Sequence, residues 1–173
     1  ALCEVTGANI EEVKNAVGFD SRIGSKFINA GPGFGGSCFQ KDILNLTYLC
    51  DYFGLPEVSA YWKQVITLNE WQKHRIYKMV INKLFGNVNN KKIAIFGFAF
   101  KANTNDTRES PAISICRNLL DEGAILAIHD PQVSEIQIGK DLGDIGEAYY
   151  DNWSVYDDLE KSYDNANAVI VLT

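Results

Sequence analysis

The sequence is short of several things, and each shortage removes a class of explanation. It has a single methionine, four prolines and two histidines in 173 residues. No apolar run approaches the roughly 20 residues a membrane-crossing helix needs, so a bilayer partner is not expected. Positive charge is also scarce: 16 Lys and Arg against 22 Asp and Glu give a net charge of −6. A surface of that sign repels nucleic acid and anionic lipid, and neither is expected as a partner. The four cysteines, Cys3, Cys38, Cys50 and Cys116, are too few and too scattered for a disulfide frame and include no Cys-x-x-Cys pair. They point to a reducing compartment, the cytoplasm. His74 and His129 lie far apart without ligand spacing, so no metal is expected. The opening Ala-Leu-Cys-Glu-Val has neither an initiator Met nor a basic, apolar leader, and it reads as a cut within something longer.

What remains is an ordinary globular composition, 46% hydrophobic and 22% charged, arranged in two styles. Residues 1–84 repeat apolar positions at helical intervals and contain no convincing strand. One helix is expected up to Val17 with Gly18 behind it, and a second from about Ser37 to Gly54. A third, about 40 Å long, should run from Pro56 to Leu84, a reach suited to bridging two units or to a dimer interface. Residues 85–173 change pattern. The run from Lys91 to Gly97 reads as a buried parallel strand, Ser110 to Glu122 as a helix, Ile125 to His129 and Ala168 to Leu172 as strands. Residues 132–152 are ambiguous, and Val155 to Ser162 suggests a short helix. The expected fold class is therefore α followed by α/β. An all-helical dimerisation domain, 1–84, precedes a truncated, Rossmann-like parallel-sheet domain, 85–173.

The most informative stretch is Gly31-Pro32-Gly33-Phe34-Gly35-Gly36-Ser37-Cys38-Phe39-Gln40-Lys41-Asp42. Glycines remove Cβ atoms where a backbone must approach a ligand or take positive φ, and such a loop entering a helix offers unpaired N–H groups to an anion. Cys38 falls at the head of that helix, where the macrodipole and Lys41 favour a thiolate, and Asp42 lies one turn on along the same face. Cys38 is the candidate nucleophile and Asp42 the candidate acid or base. The plainer reading, a buried thiol beside a loop that merely turns the chain, carries equal weight on physics alone. Cys3, Cys50 and Cys116 read as small core residues on helices, His74 as part of a solvated face, and His129 as a satisfied, partly buried ring. A second cluster follows the first strand, with Phe100, Lys101 and Arg108 placed where α/β folds collect ligands. It lacks the G-x-G-x-x-G fingerprint, so ordinary dinucleotide binding by this half is not expected. Asp130 is either a ribose-binding acid or a plain strand stop.

Four segments taken together, ALCEVTGANIEEVKNAVGFDSRIG, GPGFGGSCFQKD, KKIAIFGFAFKANTNDTRESPA and AIHDP, resemble the UDP-glucose/GDP-mannose dehydrogenase family. The resemblance covers nearly the whole chain and is weakest over residues 132–151. It implies a central helical domain plus the front of a UDP-sugar-binding domain. It also implies two successive hydride transfers from C6 of UDP-glucose to NAD+, giving UDP-glucuronate. By the same resemblance Cys38 captures the intermediate aldehyde and Asp42 serves as base or water holder. Phe39, Gln40, Lys41 and Arg108, with Cys38, border NAD. Asn29, Ala30, Gly31, Pro32, Gly33, Phe34 and Gly35 wrap the substrate, which Phe100 and Lys101 also touch. Arg22 reaches a neighbouring subunit's site, so a homodimer or higher homo-oligomer is implied. Asn29 stands where many relatives carry Lys. Two alternatives remain: a related dehydrogenase for UDP-N-acetyl-hexosamines or GDP-mannose, and a non-catalytic dimerisation and nucleotide-binding module. The polypeptide alone is expected to turn over nothing.

Overall fold

A computed structural model describes residues 1–143 and 152–173. The chain divides into two compact units, Ala1–Gly31 and Pro32–Thr173. In the first, α1 (Leu2–Thr6) and α2 (Ile10–Gly18) replace the single expected helix. Gly7, at φ 74, ends α1 in the left-handed conformation, and the Asn9 side chain caps α2 by accepting the Glu11 N–H at 3.0 Å. An Asn two residues after a glycine is a stop and a fresh start, and it outweighs the apolar spacing that runs across it.

The second unit opens with the glycine loop and two helices, α3 (Phe39–Tyr52) and α4 (Pro56–Lys83), packed on each other. Pro56 starts α4 within its first turn, and 28 residues at 1.5 Å make it about 42 Å long. Four parallel strands follow, β1 (Lys92–Phe96), β2 (Ile125–His129), β3 (Trp153–Val155) and β4 (Ala168–Val171), in the order β3-β2-β1-β4. Between them lie α5 (Pro111–Asp121), α6 (Glu135–Leu142) and α7 (Leu159–Tyr163). The first strand's interior, Ile93, Ala94 and Ile95, is sealed on both faces, and Ile115, Cys116, Leu119 and Leu120 form the inward face of α5. Their shared core includes Leu126, Ile128 and Ile138.

β3 and α6 lie in and beside the stretch read as ambiguous. β3 is only three residues long and half-buried, too short to show alternation, and only pairing with β2 makes it a strand. The expected helix over 155–162 begins later, at Leu159, because Asp158 caps it by accepting the N–H of Glu160 at 2.8 Å. Residues 144–151, the rest of the ambiguous stretch, lie outside the described residues. Strand order reverses between β1 and β4, and the crevice at their carboxyl ends is the position where such sheets receive ligands. It holds about 250 Å³, bordered by Gly97, Lys101, His129, Asp130 and Thr173. No helix among the described residues is long and apolar enough to cross a membrane.

Candidate active site

Cys38 occupies the N-cap position of α3 with no side-chain capping bond, since the helix begins at Phe39 and not near Ser37 as expected. Its carbonyl accepts the Asp42 N–H at 2.8 Å, which opens the helix. The amides of the first turn, from Phe39 to Lys41, have no intrahelical acceptor and make this end partly positive. The sulfur is exposed and sits 3.6 Å from Ser37 Oγ, whereas Cys50 and Cys116 are buried. Burial alone pushes the Cys116 thiol up to about 12, which removes it as a nucleophile. Asp42 and Lys41 are exposed on the same first turn.

Three of the glycines before Cys38, Gly33, Gly35 and Gly36, serve close packing of backbone on protein. At Gly33, φ 140, an added Cβ would stand 2.8 Å from Asn69 Oδ1; at Gly35 it would strike the Glu109 carbonyl. At Gly36, φ 88, it would press on the Phe100 ring at 3.0 Å. The Gly36 N–H donates to the Arg108 carbonyl at 2.8 Å. The loop is thus wedged between α4 and the segment 97–110 that joins β1 to α5. Phe34 lies edge-on to Phe39, centroids 4.6 Å apart.

That joining segment is equally determined. Asp130 Oδ2 accepts the N–H of Phe98 at 2.7 Å and of Ala99 at 3.0 Å, while Oδ1 accepts those of Gln132 and Val133. Partial burial pushes the Asp130 carboxyl up, but the four N–H donors outweigh this and hold it below its usual range. Both oxygens are spent on the backbone, which makes Asp130 a structural staple in place of the ribose ligand entertained above. Ser110 donates to the Phe98 carbonyl at 2.7 Å and caps α5. His129, half-buried, has Nδ1 2.8 Å from the Tyr156 carbonyl, and His74 is exposed.

Arg108 is held by Asp106, with Nη2 2.6 Å from Oδ2 and Nε 2.9 Å from Oδ1, and its own N–H also donates to Oδ1. Hydrogen bonds from Arg108 bring the Asp106 carboxyl down to about 2. Arg108 is raised first by those bonds, then by the carboxylate's charge. A cleft of about 380 Å³ is bordered by Ser37, Gln40, Lys41, Arg108 and Glu109, residues on either side of Cys38, which is not itself part of the lining. Gln40 Oε1, enclosed there, has no hydrogen-bond partner. Lys101 Nζ stands 5.3 Å over the Phe100 ring, and Lys101 also borders the crevice at the sheet's carboxyl edge.

Among the residues singled out from sequence, Gly33, Phe34, Gly35, Cys38, Phe39, Gln40, Lys41, Asp42, Phe100, Lys101 and Arg108 cluster in the second unit, as does Pro32. Arg22, Asn29, Ala30 and Gly31 belong to the first. There Arg22 is gripped by Asp20 at 2.6 Å in the same Asp-x-Arg turn that presents Arg108. Asn69 drew no attention in the sequence. The available signal was a polar residue on the helical stripe through Trp62, Val65, Ile76 and Val80.

A dinucleotide is cradled by a glycine-rich turn passing directly from strand into helix, and residues 97–110 make no such turn. Arg108, Lys41 and Gln40 suit contact with one edge of such a cofactor; nothing among the described residues suits holding it.

Two models of one family match: the central domain of the UDP-glucose/GDP-mannose dehydrogenase family over residues 1–71, and its UDP binding domain over 94–173. UDP-glucose 6-dehydrogenase 3 of Arabidopsis thaliana is 61% identical over 142 residues, 82% of this chain and 30% of the relative. The UDP-glucose 6-dehydrogenase of Drosophila melanogaster gives the same identity and coverage. The chain thus spans about 30% of the length of the curated relatives it matches. A solved UDP-glucose dehydrogenase from Pyrobaculum islandicum superposes with a TM-score of 0.82 at 33% identity, covering 97% of this chain and 36% of that one. A GDP-mannose dehydrogenase from Pseudomonas aeruginosa shares the fold at 22% identity, with a TM-score of 0.69 over 98% of this chain and 38% of that one.

Proposed function

The chain belongs to the UDP-glucose/GDP-mannose dehydrogenase family, and from that premise we propose that it supplies the thiol, the acid and part of the sugar-nucleotide site of an NAD-dependent UDP-glucose 6-dehydrogenase. The observation that carries this reading is the exposed residue Cys38 at the head of α3, whose chain neighbours Ser37, Gln40 and Lys41 line a cleft together with Arg108. When bound, NAD+ would supply the hydride acceptor for both oxidations, with Phe39, Gln40, Lys41 and Arg108 along one edge of it. The first oxidation turns the C6 alcohol into an aldehyde, releasing one proton. The Cys38 sulfur adds to that carbonyl carbon while its proton passes to the oxygen, giving a thiohemiacetal. Loss of a second hydride and a proton leaves a thioester, and water then cleaves the C–S bond, yielding the carboxylate and restoring the thiol. Amides at the head of α3 suit the developing oxyanion, and Asp42 suits the attacking water.

Lys101 and Phe100 are assigned to the UDP-sugar, as are Asn29, Ala30, Gly31, Pro32, Gly33, Phe34 and Gly35. Asn29, being neutral, supplies hydrogen bonds there and no cation. Phe39, Gln40, Lys41 and Arg108 are assigned to the edge of NAD. Residues 1–84 form the helical dimerisation portion and 85–173 the UDP-sugar portion, and Arg22 serves the site of a second subunit in a homodimer or larger assembly. Four free thiols suit a reducing cytoplasm. UDP-glucose is favoured over GDP-mannose and UDP-N-acetyl-hexosamines because the relatives at 61% identity are UDP-glucose 6-dehydrogenases, against 22% for the GDP-mannose enzyme.

The decisive experiment measures NADH formation by the complete enzyme with UDP-glucose, GDP-mannose and UDP-N-acetylglucosamine. UDP-glucose is expected to dominate, and Cys38→Ala to lower kcat by at least about 10³-fold, as loss of a covalent nucleophile does. Full turnover by Cys38→Ala would leave only the non-catalytic nucleotide-binding module. The 173-residue chain by itself is expected to form no NADH.

A further inference from the structure

Phe34 sits in a loop with no ladder partner, so its backbone groups must be satisfied from elsewhere. Both are met by one side chain 35 positions away: Asn69 Oδ1 accepts the Phe34 N–H at 2.8 Å, and Asn69 Nδ2 donates to the Phe34 carbonyl at 3.0 Å. Asn69 is only 5% exposed, on the inward face of α4 where an apolar residue would pack at less cost. Gly33 is pressed so closely on that carboxamide that no other residue type fits. Phe34 in turn lies edge-on to Phe39, the residue bonded to Cys38, and Gly36 is tied to Arg108 on the opposite side.

We propose that Asn69 is a positioning residue: through its two hydrogen bonds to Phe34 it sets the glycine loop, and so the place of the Cys38 sulfur. The inference rests on reading Cys38 as the nucleophile. A lateral shift of about an ångström at a reacting group costs on the order of 10²-fold in rate, so a clamp two bonds strong is enough to matter. The charged groups along the same seam are Glu70 and Lys73 on α4, paired at 2.8 Å, and Glu109 of the segment joining β1 to α5.

The test uses two variants. Asn69→Ala removes both bonds. Asn69→Asp keeps the shape and the acceptor but, as a carboxylate, cannot donate to the Phe34 carbonyl; protonated, it can. Burial and Glu70 raise the new carboxyl's pKa while Lys73 opposes, and the donating form gains as pH falls. In the complete enzyme kcat should fall at least tenfold in both variants at pH 8. The ratio of Asn69→Asp to wild type should climb several-fold between pH 8 and pH 6, while that of Asn69→Ala stays flat. Amide exchange at Phe34, followed by NMR, should quicken about tenfold in Asn69→Ala, the equivalent of one buried hydrogen bond, with Leu126 and Ile128 unchanged as folding controls. A flat ratio for Asn69→Asp, or unchanged exchange at Phe34, overturns the clamp. If Cys38→Ala keeps full turnover, the nucleophile reading falls, and exchange at Phe34 still judges the clamp by itself.

Discussion

Around the sheet, Ile93, Ile95, Ile115, Leu119, Leu126 and Ile128 are fully buried. On α3 and α4 the buried positions are Ile43, Thr47, Cys50, Ser59, Asn69 and Lys73, four of the six polar. The same two helices leave Tyr48, Tyr52, Tyr61 and Leu68 more than 60% exposed. The apolar core therefore lies around the sheet, and the C-terminal half of α4, through Ile76, Val80 and Ile81, packs against it. The inward face of α4 holds the cysteine loop through Asn69, and the two helices turn much of their apolar surface outward.

This contrast can be broken most directly by two leucine truncations in the 173-residue chain. Leu119→Ala in the sheet's core should cost about 3 kcal/mol, from lost burial and a cavity, whereas Leu68→Ala on α4 should change urea stability by less than about 0.5 kcal/mol. Equal losses would mean that the helices hold a core of their own. A smaller effect, about 1 kcal/mol, is expected for Ser110→Ala, which frees the Phe98 carbonyl and uncaps α5. The same change should leave exchange on α3 untouched, which sharpens the division. The smallest effect is the pH response. Asp106 and Asp130 both sit below the usual Asp value of about 3.9, so the stability they contribute is complete above that value. It is lost as pH falls through about 2 for Asp106. Urea midpoints should therefore decline below about pH 4, and Asp130→Asn should flatten that decline.

Much of this was legible from residue order. The bounds of α4, α5 and β2 follow from Pro56, from Pro111 and Gly123, and from the apolar run between Gly123 and Asp130. Cys38, Asp42 and Lys41 announced themselves by type and spacing at a helix head. β3 did not, because Trp153 and Val155 about an exposed Ser154 are too few residues to carry a period, and neither did the break at Gly7, where cap chemistry overrode apolar spacing. Asp130 was ambiguous for a different reason: a carboxylate that binds a ligand and one that binds four amides look identical in a string.

Sequence alone settled α3 to α5, the strands β1, β2 and β4, and the thiol at the entrance to a helix, since each depends on residues close together along the chain. Folding decided what those residues touch. That the glycines yield to Asn69, Glu109 and Phe100, that Asp130 pins the turn after β1, and that the Arg108 carbonyl takes the Gly36 N–H are all consequences of long-range packing. The reason is physical: propensities, caps and apolar periods act over a few neighbours, whereas a buried amide or carboxylate takes its meaning from partners that only the closed core brings within 3 Å.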